Sequence, residues 1–382
     1  ADPWICIPHR GDSTYIANMA HLFRDSLHEE VTIHIEYTNE YWNWLFDQAH
    51  YVHDSLDQTL PWPERYAPRL AEVMQIWTSV FAGQEHRIKR VFATQHAWPD
   101  LGWRVLDQLQ TDGHLHLIDV VSPAGYMSVD HDQLAQLGAG ATPEQVIQGA
   151  QAYTFDPDSY AMNGWKAHAD MANIHDFALA FYEGGQHFTP DPWGTVQPYN
   201  AAMQEAQVHP QMYDLYQTLF DTLNALSEKE MLFMHFSFIA SIFDDPNQGA
   251  YGNFGILEHQ FDQIPPFDIG EAPKWRAISD YMKRCATATQ NEIRPNPHTL
   301  AGQVFPNPAH AQFSWTADST LPGVRTWTFT LVNSQGSLVW SETIKGQIKR
   351  RSWDASSLPG GYYLLKVMSG NKSGYFSVII VR

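Results

Sequence analysis

A chain of 382 residues is long enough for two domains, and its formal net charge of −19 excludes a binder of nucleic acid phosphates or of an anionic membrane surface. No apolar run approaches the roughly 20 residues that span a bilayer, and no charged n-region followed by an apolar h-region opens the sequence. Only Cys6 and Cys285 are present, which argues against a disulfide framework, while 13% aromatic residues with 14 Trp suit a neutral partner with flat apolar faces.

Taken in order, the chain opens on an apolar run at Trp4 to His9 that reads as a buried strand. Asp12-Ser13-Thr14 supplies N-cap chemistry for a helix whose apolar residues run from Ile16 to Leu27. Residues 31–37 alternate β-branched residues and read as a second strand. Helices follow at 46–56 and 69–81, a strand at 88–94, a helix at 101–109 and a strand at 115–121. Helices at 143–151 and 163–173 precede a strand at 177–182. A long helical region at 199–226 has its break at Pro210, a sixth strand covers 231–236, and a helix at 273–283 closes the series. Strand and helix alternate six times and the strands are continuously apolar, which predicts a parallel α/β architecture with both faces covered. A (β/α) TIM-type barrel needs eight such units, so the count falls two short.

After Arg284 the pattern changes. Residues 287–302 are polar, carry Pro295 and Pro297, and read as a linker. From Val304 the period is two: Trp327, Phe329 and Leu331 alternate with Thr, Asn333 to Gly336 and Pro359-Gly360-Gly361 make turns, and Tyr375 to Val381 ends the chain. Short strands at such spacing predict a small antiparallel, immunoglobulin-like sandwich over 303–382. Eight Lys and Arg against three Asp and Glu give residues 301–382 a charge of +5, so residues 1–300 carry −24. Two domains with different tasks are expected, the first over 1–286.

Two carboxylates stand out. Glu40 ends the second strand region between Asn39 and an aromatic cluster of Tyr41, Trp42 and Trp44, and Glu183 ends the fifth, followed at once by Gly184 and Gly185. At the C-terminal lip of parallel strands, both face one mouth. A pair about 5 to 5.5 Å apart supports double displacement at a sugar: one carboxylate attacks the anomeric carbon, and the other protonates the leaving oxygen and later activates water. Glu36, four residues before Glu40 and on the same side of the strand, is the rival for an acidic role.

The segment Ile35 to Asn43, IEYTNEYWN, resembles the Asn-Glu acid/base motif of the clan A retaining glycoside hydrolases, which ends their fourth barrel strand. Tyr182 to His187, YEGGQH, is similar to their nucleophile segment on the seventh. With Pro3 to His9, PWICIPH, these motifs look like a cellulase-like group of bacterial clan A proteins over roughly residues 1–285. The resemblance implies Glu40 as acid/base, Glu183 as nucleophile and Asn39 as a ligand of the substrate 2-hydroxyl. It adds Tyr126 as a holder of Glu183 and His9 as a residue lining the mouth; His235, Trp42 of the aromatic cluster and Trp98 of a connecting loop are taken beside them as further substrate contacts. It also makes the first visible strand the third, so the expected barrel lacks its first two βα units. Val304 to Pro308, the 333–336 turn with Leu338-Val339, and Leu358 to Leu365 are similar to the type A sorting domains of bacterial type IX secretion, which implies export and the secretion machinery as a partner.

Together these readings make the protein a secreted retaining β-glycosidase acting on a polysaccharide, needing no cofactor and no metal. The alternative is a non-catalytic carbohydrate-binding or cell-surface protein. His114 with His116, His131 between Asp130 and Asp132, and Asp244-Asp245 are the metal candidates, but no ligand-spacing motif supports them. Trp103, Trp165 and Trp193 are divided between core and sugar stacking. No phosphate-cradling glycine loop or serine elbow appears.

Overall fold

The computed structural model describes residues 2–242, 245–258, 272–289, 300, 302–317, 325–333, 337–370 and 372–382. Two compact units, residues 1–284 and 285–382, divide the chain.

In the first unit the strands are β1 (Trp4–Ile7), β2 (Ile33–Tyr37), β3 (Ile88–Ala93), β4 (Val120–Ser122), β5 (Gly125–Ser128), β6 (Ala178–Phe181), β7 (Gly184–His187) and β8 (Leu232–Phe233). Between and after them lie α1 (Ser13–Ser26), α2 (Asp47–Ser55), α3 (Tyr66–Val80), α4 (Pro99–Thr111), α5 (His131–Leu137), α6 (Pro143–Thr154), α7 (Tyr160–Ile174), α8 (Asn200–Ala206), α9 (Met212–Leu226) and α10 (Pro273–Thr289). Local chemistry sets the helix starts. Asp12 caps α1 by accepting from the Tyr15 amide, and Thr142 with Gln145 forms a reciprocal capping box at α6, with Pro143 in its first turn. Pro210, whose ring excludes a helical hydrogen bond, falls between α8 and α9.

Six strands form one parallel sheet in the order β1-β2-β3-β4-β6-β8. One face packs Ile7, Ile33, Ile35, Phe92, Val121, Leu179 and Phe181 against the helices in the main core. A smaller cluster of Val91, Val120 and Ala180 occupies the other face. The expected TIM-type barrel is not formed. The sheet is an open, curled half-barrel with β1 and β8 at its edges, because six strands lack the circumference that eight supply and the two edge strands do not pair. The count of six before residue 285 was also too low. β5 and β7 are additional strands, and they pair with each other in parallel rather than joining the sheet. They continue β4 and β6 beyond short breaks, and Glu183 sits in the second break. Residues 115–117, expected as strand, instead form a 3-10 turn.

The second unit is the expected all-β part. β9 (Gly302–Phe305), β10 (Gln312–Ala317) and β13 (Arg350–Asp354) form one antiparallel sheet, and β11 (Arg325–Asn333), β12 (Leu338–Gly346), β14 (Gly361–Ser369) and β15 (Lys372–Ile380) form another. Phe313 and Trp315 of the first sheet share a core with Trp327, Phe329, Leu331, Leu365 and Val367 of the second. The linker expected at 287–302 and the turn at 333–336 fall mostly outside the described residues.

Candidate active site

The C-terminal ends of the strands open into a cleft of about 640 Å³, within the range of small-molecule sites. Glu40 and Glu183 both line it, together with Trp42, Tyr126 and Tyr182. Glu40 follows β2 in a turn closed by the Asn43 amide on the Glu40 carbonyl at 2.9 Å. Its φ of +45° lies in the left-handed region, uncommon for a residue with a side chain and costing on the order of 1–3 kcal/mol. Two donors fix the carboxylate that this backbone presents. The Tyr182 hydroxyl donates to Oε1 at 2.7 Å, and Asn43 Nδ2 donates to Oε2 at 2.8 Å.

Glu183 owes its place to the β6–β7 break. Its carbonyl accepts from the Gly125 amide at 2.8 Å, which ties the break to β5. Burial, and then the charge of Glu40, push its carboxyl up to about 7, while a hydrogen bond from the Tyr126 hydroxyl pulls the other way. Burial and the neighbouring carboxylates push the Tyr126 and Tyr182 hydroxyls up, so both remain donors. His96 and His187 also line the cleft; burial lowers both, His96 to about 3, so both are neutral imidazoles at neutral pH.

Of the residues singled out from the sequence, Glu40, Glu183, Tyr126 and Trp42 meet in this cleft. Asn39 does not line it; its carbonyl accepts from Gln48 Nε2 at 2.7 Å. His9 packs against Tyr51 with ring centroids 5.3 Å apart, away from the cleft. His235 is half-buried against β7 and does not line the cleft; its Nε2 hydrogen-bonds with the Tyr216 hydroxyl at 2.7 Å. Trp98 stands at the rim, beside the cleft residue Ala97, and is 38% exposed. Glu36 is 1% exposed and absent from the cleft wall; burial pushes it up to about 7 while Trp4 Nε1 and the Cys6 thiol donate to Oε2. Trp165 is core, with its indole N–H on the Ala124 carbonyl. Tyr182 and Asn43 were missed, although each lies within three residues of a singled-out Glu. His96 comes from the turn between β3 and α4 and Tyr160 from the first residue of α7, and neither carries a local signal.

Among the described residues no group of three or more His, Cys, Asp or Glu could hold a metal ion. His131 Nε2 is engaged by the Thr189 carbonyl, and Asp245 accepts from the Asn247 and Gly249 amides in a turn; Asp244 lies outside the described residues.

Residues 303–382 match the secretion system C-terminal sorting domain. The protein is therefore a type IX secretion cargo, secreted or attached at the cell surface, and the secretion machinery is a partner. No helix among the described residues is long and apolar enough to cross a membrane. No curated protein matches the chain. Among solved structures, beta-glucuronidase 2 of Bacteroides uniformis aligns with 99% of this chain and 38% of its own, at 11% identity and a TM-score of 0.36. An endo-laminarinase from Formosa aligns with 65% of this chain and 59% of its own, at 12% identity and a TM-score of 0.35. A protein of the DUF3244 family from Bacteroides vulgatus, with an immunoglobulin-like β-sandwich fold, covers 20% of this chain and 91% of its own, at 19% identity and a TM-score of 0.16. Likenesses at this level assign no chemistry.

Proposed function

We propose that the first unit is a retaining glycoside hydrolase that cleaves β-glycosidic bonds of a polysaccharide by double displacement outside the cell. One observation carries the reading: Glu40 and Glu183 face a single aromatic-walled cleft, and the phenol of Tyr182, the residue just before Glu183, donates to Glu40. In this reading Glu183 attacks the anomeric carbon and the bond to the leaving oxygen breaks, while Glu40 gives that oxygen its proton. Water then hydrolyses the glycosyl–Glu183 ester as Glu40 takes a proton from it. Burial of Glu183, and then the charge of Glu40, keep one proton on the pair near neutrality, which is the protonation state this chemistry requires.

The exchanged assignment, Glu183 as acid and Glu40 as nucleophile, is favoured by one fact, that Glu183 is the carboxyl pushed up to about 7. A panel of β-glucans, mannans and xylans with wild-type protein, Glu183→Gln and Glu40→Gln tests the proposal. Glu183→Gln should abolish turnover, and Glu40→Gln should retain slow turnover only of substrates whose leaving group needs no protonation. The reverse pattern would exchange the roles. A wild-type protein that binds these glycans and hydrolyses none would be a carbohydrate-binding protein instead.

A further inference from the structure

The cleft wall continues outward into a ridge of three tryptophans. Trp44 lines the cleft and is 49% exposed; its ring centroid lies 5.6 Å from that of Trp62, which lies 5.5 Å from that of Trp98, 38% exposed. Successive ring planes are tilted by 35° and 42°, so the ridge is a twisted ribbon with its two end rings open to solvent. Exposure of large rings this close together is costly to leave unused, since apolar surface gains by leaving water. His50 and His53 meet Trp44 edge-on at 5.4 and 5.3 Å and hold its ring upright. Arg104 donates to the Trp62 carbonyl at 2.9 Å and is paired with Glu64 at 2.8 Å.

Charge sets the second constraint. Among the described residues that line the cleft there is no Lys or Arg, its two histidines are neutral at neutral pH, and its charged groups are Glu40 and Glu183. An acidic sugar brought here would meet carboxylates with nothing to pair it, in a first unit that is itself strongly acidic. Pyranose rings without charge present C–H faces that suit indole planes and hydroxyls that suit the Tyr, Asn and Gln side chains of the wall.

We propose that the Trp44–Trp62–Trp98 ridge is a glycan-binding extension of the cleft, and that it selects an uncharged polysaccharide chain over uronic acid or sulfated glycans. The proposal rests on the carbohydrate reading of the cleft and adds the substrate class and the surface that reads chain length.

The test is equilibrium binding by calorimetry to full-length Glu183→Gln protein, which holds substrate without turning it over. The ligands are cello-, laminari-, manno- and xylo-oligosaccharides of two and six residues, with hexa-galacturonate as the acidic probe. At least one neutral hexasaccharide should bind on the order of tenfold or more tighter than its disaccharide. Introducing Trp98→Ala should collapse that ratio toward unity, and Trp98→Phe, which keeps an aromatic face, should restore much of it. Binding of no neutral hexasaccharide, an unchanged length ratio in Trp98→Ala, or equal affinity for hexa-galacturonate would each overturn the proposal. Failure of the hydrolase reading looks different: length-dependent binding of neutral glycans would persist while wild-type protein released no product.

Discussion

The Tyr182 hydroxyl donates to Glu40 Oε1 across 142 positions of sequence, and Tyr182 is the residue immediately before Glu183. The β6–β7 break therefore places one carboxylate of the pair and grips the other through a single dipeptide. A hydrogen bond to a charged acceptor contributes about 1.5–3 kcal/mol. Tyr182→Phe should accordingly lower kcat/KM for the preferred glycan by roughly 10- to 100-fold while leaving the ring packed against Trp42, at 5.9 Å between centroids. A kinetic assay beside a melting curve separates the two effects: a large loss of Tm with little loss of rate would make Tyr182 a packing residue only.

The proton held by the pair gives a pH dependence with a definite sign. With Glu183 pushed up to about 7 by burial and by Glu40, the singly protonated pair gives way to two bare carboxylates above that pH. Wild-type kcat/KM should therefore fall as pH rises through about 7, whichever carboxyl carries the proton, because kinetics see the pair. Glu40→Gln separates the roles on substrates with an activated leaving group. Removing the Glu40 charge lowers the Glu183 pKa, so a nucleophilic Glu183 gives a rate that rises with pH through a value below 7. No turnover of such substrates in that variant would make Glu40 the nucleophile and Glu183 the acid.

Much of this was legible in the sequence. The start of the first helix came from the cap at Asp12 and the break at Pro210 from ring chemistry, because these are local effects. Glu40, Glu183 and Trp42 came from motifs that occupy a few consecutive residues, and Tyr126 only from its place after the strand region that ends near Val121. The shortage of strands was legible as a count, six units where a barrel needs eight; the open, curled half-barrel they form was not, since curvature depends on the whole sheet rather than on any one strand. The positions of His9 and His235 were misjudged for a related reason: both follow strands, but the loops turn their rings toward Tyr51 and Tyr216 rather than into the cleft. The β5–β7 pair escaped because strands of four residues with three glycines among them carry no hydrophobic alternation.

Glu36 should make the first unit less stable at alkaline pH. Its folded carboxyl is raised from 4.5 to about 7 by burial, so the folded state holds a proton that the unfolded chain has released in that interval. The stabilisation is complete below about 4.5 and is lost as pH rises through about 7, an effect on the order of 3 kcal/mol. Glu36→Gln keeps an acceptor for Trp4 Nε1 and cannot ionise. Thermal melts at pH 5 and pH 8 should show the variant gaining on wild type at pH 8 and not at pH 5; a gap that does not change with pH would mean Glu36 does not titrate in the fold.

The glycines that follow Glu183 are there because two backbones meet. A Cβ added at Gly184 would sit 2.5 Å from the Gly125 carbonyl oxygen, which is backbone and cannot swing aside, and 2.7 Å from the Phe233 ring. Gly185 has φ +128°, and a Cβ there would come within 2.6 Å of His235 Nε2. Gly184→Ala must therefore push β7 away from β5, and overpacking of this kind costs about 1–3 kcal/mol. The displaced strand begins one residue after Glu183, so the carboxyl moves with it, away from Tyr126 and from Glu40. The expected result is a Tm lowered by several degrees together with a kcat loss that persists well below the melting temperature, since a shift of an ångström at a reacting group is enough to cost on the order of 100-fold. A Gly184→Ala protein with full activity at low temperature would show that the β5–β7 spacing does not set the position of Glu183.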